Sequence, residues 1–249
     1  MNSAKLARSL SWLLKISRRE TEIKAMLVAL FDHGASSLPE FATEILGPTE
    51  AAYFSSIRFA RRQQSYLFGR YAAKLALRDL IEEPDLKAIE IRRGVFEQPI
   101  VHCTGRQGWS VTISHAESLT VALAFPVGHP MGVDAERMDS ARMDTILSQL
   151  SDQEMKWVEA AGKDRVEIST ALWTAKEALS KVLCTGLMSP IQIYSLSEFR
   201  TTSPGAWAGL FHNFGQYKAK TWTGATHALS IVLPKRSNIV ANHEIFEFL

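Results

Sequence analysis

Pro126-Val127-Gly128-His129-Pro130, followed at once by the apolar run Met131-Gly132-Val133-Asp134-Ala135-Glu136, is the stretch on which the reading of the fold turns. Two prolines and a glycine within five residues end whatever precedes them, because proline fixes φ and lacks an N–H while glycine accepts turn geometry. The run that follows reads as a new strand. Upstream the chain passes through strand, helices and a hairpin; downstream it passes through strand, helices and strands again. The expected fold is therefore α+β, a pseudo-dimer of two similar α/β lobes. Residues 1–24 form an N-terminal extension, 25–126 an N-terminal lobe and 127–249 a C-terminal lobe.

Working outward from the linker, residues 109–114 and 120–125 read as strands joined by a tight connection at 115–119, the geometry of a hairpin. Further upstream, 96–108 reads as a loop, 88–93 as a strand and 48–81 as two helices. Residues 25–31 (AMLVALF) are a β-type run stopped by Asp32-His33-Gly34, with a loop containing Ser36, Ser37 and Pro39 behind it. Downstream, helices are expected at about 140–150, 152–161 and 166–184. Ser151 with Glu154 three positions later forms a capping box for the second, and Gly186 stops the third. Strands at 191–196, 219–223 and 227–233 complete the chain. At its start, Lys5, Arg8, Lys15, Arg18 and Arg19 flank Leu10, Trp12, Leu13 and Leu14, a pattern that reads as an amphipathic helix.

The composition bounds the function. With 46% hydrophobic residues in a chain of 249, a substantial core can be buried. Lys plus Arg number 28 against 26 Asp plus Glu, so no global field gathers nucleic acid or an anionic membrane, and any anion must be bound by local arrangement. The uncharged run most worth testing as a membrane span, 118–133, is broken by Pro126, Gly128 and Pro130 and is too short to cross a bilayer. Cys103 and Cys184 stand far apart without a partner motif, which removes a disulfide framework and a cysteine zinc site and fits a reducing cytoplasm.

Three clusters can carry chemistry. Strand alternation turns Asp134 and Glu136 to one face, a pair of hard oxygen donors suited to Mg²⁺. Four acid-x-acid pairs occur where chance gives about 2.7, so setting matters more than occurrence: this pair lies in an apolar run, where unpaired carboxylates are costly. A salt-bridged strand end is the competing account. Trp173, Glu177 and Lys181 recur every fourth residue on a helix. That stripe is either a helix-stabilising Glu-to-Lys pair or a place for a third ligand or a base. Ser114-His115 ends a strand where an imidazole could meet phosphate, and Arg62 and Arg70, eight apart, share a helix side suited to bidentate phosphate contacts or to plain solvation.

Taken in order, the Gly-Arg helix at 68–77, Ser114-His115, Gly132-Val133-Asp134-Ala135-Glu136 and Trp173-x-x-Lys176-Glu177-Ala178-x-x-Lys181 followed by Gly186-Leu187 resemble the 4′-phosphopantetheinyl transferase superfamily. The likeness is to its two-lobed Sfp-type branch, which activates peptide and polyketide synthetases, and it covers roughly residues 60–190. It implies an inter-lobe coenzyme A cleft and Mg²⁺-dependent transfer of 4′-phosphopantetheine from coenzyme A to a serine of an apo acyl or peptidyl carrier protein, with release of 3′,5′-adenosine bisphosphate. It also implies Asp134, Glu136 and Glu177 as metal ligands and Glu177 as acceptor of the serine proton. Lys181 is implied against the phosphate, Ser114 and His115 against the coenzyme A phosphates, and Arg62 with Arg70 at the nucleotide end. A cytoplasmic monomer with no nucleic-acid or membrane partner is expected, and residues 137–157 are where the carrier is expected to dock.

Two departures stand out. Many relatives carry Gly-Lys-Pro where this chain has Glu97-Gln98-Pro99, leaving Arg92, Arg93 or Arg106 as replacements for the lysine; and an acid, Glu117, follows the Ser-His block. They motivate a competing function, a non-catalytic binding module for coenzyme A or a carrier; a metal-dependent phosphohydrolase, in which the same ion activates water rather than a serine, is a further alternative.

Overall fold

The computed structural model describes residues 7–32, 38–240 and 249. The described residues divide into two compact units. The first holds residues up to Ile16 and from Glu22 to Gly128, and the second holds Ser17–Thr21 with His129–Leu249. Both mix helices with antiparallel sheet, an α+β architecture.

The first unit contains β1 (Ala7–Arg18), β2 (Thr21–Asp32), α1 (Leu38–Ile45), α2 (Pro48–Ser56), α3 (Ala60–Ile81), β3 (Glu90–Arg93), β4 (Pro99–His102), β5 (Trp109–Ala116) and β6 (Leu119–Pro126). Its main sheet runs β1-β2-β6-β5. The segment expected to be an amphipathic helix is the strand β1. Leu14 and Ile16 are fully buried while Leu13 and Lys15 are exposed, a period of two that only extended backbone gives. Helix α3 lies on β5 and β6 through Gly69, Ala72, Ala73 and Ala76, whose small side chains let helix and sheet approach closely. Residues 96–108, expected as a loop, contain β4, paired with β3 from Glu90↔His102 to Arg93↔Pro99. Proline is tolerated there because it opens an edge strand.

The second unit contains β7 (Gly132–Arg137), α4 (Met143–Leu147), α5 (Asp152–Ala160), α6 (Arg165–Val182), β8 (Leu196–Ser203), β9 (Ala206–Phe211), β10 (Tyr217–Thr223) and β11 (His227–Pro234), with sheet order β7-β11-β10-β9-β8. Residues 191–194, expected in a strand, form a 3-10 turn after Pro190, and the strand begins at Leu196. The unit's core joins Leu172, Ala175, Ala178 and Leu179 of α6 to Ala219 and Val232 of the sheet. Gly132 is essential to this fit, since a Cβ there would stand 2.2 Å from the Ala178 carbonyl oxygen.

One buried clip occurs in both units. In the second, Glu154 at the start of α5 accepts from the Ser151 N–H (2.8 Å) and, with its other oxygen, from the Leu196 N–H (2.9 Å). Lys176 of α6, fully buried, pairs with the same carboxylate at 2.6 Å and donates to the Gln149 carbonyl. In the first, Glu50 accepts from Gly47 and Ile91, while buried Lys74 pairs with it at 2.5 Å and donates to the Ile45 carbonyl. Each clip ties a helix start, the following long helix and the next strand to one carboxylate. Burial pushes both lysine ammonium groups down, and the glutamates oppose that shift.

Candidate functional site

The acidic cluster is assembled by one strand and one helix of the second unit. On β7, Asp134 is buried and Glu136 lies at the partly open end. From α6, Trp173 donates its indole N–H to Glu136 Oε1 at 3.1 Å, and Lys181, two turns on, donates to Asp134 Oδ1 at 2.7 Å. Between them on the same stripe is Glu177. Burial, then the charges of Asp134 and Glu136, raises its carboxyl to about 7 against the opposing pull of Lys181. The structure thus brings Asp134, Glu136, Glu177 and Lys181 near one another, a grouping that the residue spacing alone left as two separate pairs.

Arg142, just beyond β7, completes the cluster and escaped the sequence reading. It pairs with Glu136 Oε2 at 2.5 Å, and that hydrogen bond raises its own pKa. It falls in the segment expected as a helix over 140–150, where a lone arginine carries no sign of a pairing with Glu136. Among the described residues no group of three or more His, Cys, Asp or Glu side chains is drawn together as around a metal ion. The strand carboxylates are instead met by Lys181 and Arg142. The donor set itself, three carboxylates with hard oxygens, has the chemistry a divalent cation such as Mg²⁺ takes.

The other expected residues lie in the first unit. Ser114 is buried on β5; His115, exposed, shares a 3.0 Å hydrogen bond between Nδ1 and Thr120 Oγ1. Gly69 of α3 makes room for this imidazole, since a Cβ there would stand 2.9 Å from Nε2. Glu117 takes φ 53° in the β5–β6 turn. Arg62 is exposed. Arg70 lies over the Tyr66 ring at 4.5 Å and 3.8 Å from Glu50, so it is engaged inside its own unit. Gln98 accepts the Phe96 N–H and closes the β3–β4 turn, while Arg92 and Arg93 pair with Glu90 and Glu97. No described helix is long and apolar enough to cross a membrane.

Residues 130–232 match the model of the 4′-phosphopantetheinyl transferase superfamily. The matched stretch begins just before β7, ends within β11, and includes Asp134, Glu136, Arg142, Trp173, Glu177 and Lys181. The match is confined to the part of the chain that holds the acidic cluster. A crystal structure of holo-ACP-synthase from Plasmodium yoelii aligns at 22% identity over 35% of this chain and 76% of that one, with a TM-score of 0.30. No curated protein matches the chain.

Proposed function

We propose that the protein is an Sfp-type 4′-phosphopantetheinyl transferase that moves the phosphopantetheine group of coenzyme A onto a serine hydroxyl of an apo acyl or peptidyl carrier protein. The observation that carries this reading is that, inside the matched region, one helix stripe sets Trp173 on Glu136 and Lys181 on Asp134, with Glu177 between them feeling the charge of both strand carboxylates. The serine oxygen forms a bond to the β-phosphorus, the pyrophosphate bridge breaks, and 3′,5′-adenosine bisphosphate leaves with the electron pair. The two-lobed form of the reading is supported by the clip found in both units.

In this reading Asp134, Glu136 and Glu177 hold Mg²⁺. When bound, the ion neutralises charge on the pyrophosphate. Glu177 accepts the serine proton, directly or through water. Lys181, already aimed at Asp134, turns its ammonium to the transferred phosphate. Ser114 and His115 contact the coenzyme A phosphates, and Arg62 contacts the nucleotide end. Arg70 must leave Glu50 and Tyr66 to join it. The carrier docks on residues 137–157.

The test is mass spectrometry of a panel of apo acyl and peptidyl carriers incubated with the protein, Mg²⁺ and coenzyme A. A carrier heavier by one phosphopantetheine is expected. No gain on any carrier overturns the reading, and free phosphopantetheine formed without an acceptor replaces it with a hydrolase.

A further inference from the structure

On the sheet of the second unit, alternate residues face α6 or the opposite side. Thr221 and Ser230 lie on the α6 side, where Ser230 meets Thr174. One position along, Arg200, Ala208, Lys220 and Ile231 stand in register on the other side, and the next row there is Glu198, Leu210, Lys218 and Leu233. Apart from Ile231, which is fully buried, the residues of these rows line a cavity of about 440 Å³, to which Lys235, Asn238 and Ile239 contribute. Ala208 opens it, because a small side chain between Arg200 and Lys220 leaves a depression that a larger one would fill.

The lining is unevenly charged. Four cations, Arg200, Lys218, Lys220 and Lys235, face the single carboxylate of Glu198. Among the described residues none of the four is ion-paired: Lys218 donates to Asn238 Oδ1 at 2.7 Å, and Lys220 Nζ lies 5.1 Å from the centre of the Trp222 ring. Both lysines are partly buried, and burial pushes both ammonium groups down, with Lys220 adding repulsion at Lys218. Two partly dehydrated ammonium groups side by side, with no carboxylate between them, are unfavourable alone and favourable around an anion. Leu210, Leu233 and Ile239 supply an apolar floor beside the charges.

We propose that this cavity is a binding site for a small organic phosphate monoester, its phosphate held by Lys218, Lys220 and Arg200 and its apolar body lying on Leu210, Leu233 and Ile239. Guanidinium and ammonium donors from two strands suit the three-fold oxygen array of a phosphate. Glu198 at the edge disfavours an extended polyanion. The site uses none of the residues of the acidic cluster, so it stands or falls independently of the transferase reading.

The experiment is an NMR titration of the full chain carrying ¹³Cε-labelled lysine. Phenyl phosphate is the probe, and inorganic phosphate and phenol are the comparisons. Saturable shifts of the Lys218 and Lys220 signals are expected, with phenyl phosphate binding about fivefold more tightly than inorganic phosphate because of its apolar body. Lys220→Met, which keeps the stem and loses the charge, and Arg200→Ala should each weaken binding about fivefold or more, whereas Lys181→Ala should leave it unchanged. Shifts that do not saturate, that persist in Lys220→Met, or that vanish in Lys181→Ala overturn the proposal.

Discussion

Lys181 Nζ donates to Asp134 Oδ1 at 2.7 Å, reaching from the last turn of α6 to the middle of β7. With Arg142 on Glu136, it leaves each strand carboxylate already matched by a cation of the protein itself. A divalent ion drawn to these oxygens competes with both.

Removing one competitor should therefore help the ion. Arg142→Ala is expected to tighten Mn²⁺ binding, followed by electron paramagnetic resonance, about threefold, the modest factor reflecting a half-exposed guanidinium. Unchanged or weaker affinity would show that Arg142 does not compete.

The pH dependence of stability follows from Glu177. Its folded carboxyl titrates at about 7 against an ordinary 4.5, so between these values the folded chain holds a proton that the unfolded chain has released. Stability of the metal-free protein is thus greatest below about pH 4.5 as far as this group is concerned and falls as pH rises through 7, by about 2–3 kcal/mol. Urea midpoints of the wild type and Glu177→Gln, compared at pH 5 and 7.5, check this; the glutamine should flatten the decline while abolishing transfer. A decline of equal size in both proteins would assign it to other groups.

The clips should be costly to break from one side. Lys74→Met and Lys176→Met each leave a buried glutamate charge without its partner and are expected to lose about 3–5 kcal/mol in denaturant unfolding. Pairing Lys176→Met with Glu154→Gln should recover part of that loss. Single-variant losses below about 1 kcal/mol would show that the carboxylates are neutral in the fold.

Two glycines make contrasting predictions. Gly132→Ala drives a methyl into the Ala178 carbonyl, backbone against backbone, and should cost about 1–3 kcal/mol and weaken Mn²⁺ binding by shifting β7 against α6. Gly69→Ala meets the far end of the His115 ring, which can swing aside, and Ile113 Cγ2 at 3.4 Å, an ordinary contact. It should leave Mn²⁺ binding intact. Equal effects on the ion would sever the link between strand spacing and the carboxylates.

What could be read from the chain was what local periodicity encodes. Asp134 and Glu136 share a strand face, Glu177 and Lys181 share a helix stripe, and Ser151 caps its helix through Glu154, all within a few residues. Glu154's second task, accepting the Leu196 N–H, depends on a partner 42 positions away and leaves no local trace. β1 was misleading because Leu13 interrupts the alternation of Trp12, Leu14 and Ile16 and basic residues flank the run, so a strand carries the signature of an amphipathic helix. β9 was missed because Ala-Trp-Ala-Gly-Leu-Phe lacks the β-branched residues that mark a strand.

In the first clip the residue after the buried lysine is Leu75, packed in the core; in the second it is Glu177. Adjacent helical positions thus answer to different demands, one holding the frame and the next free to carry reactivity. A protein engineer could treat the pair as a socket: keep the lysine and its glutamate, and exchange the neighbouring side chain to install or erase an active group without redesigning the scaffold around it.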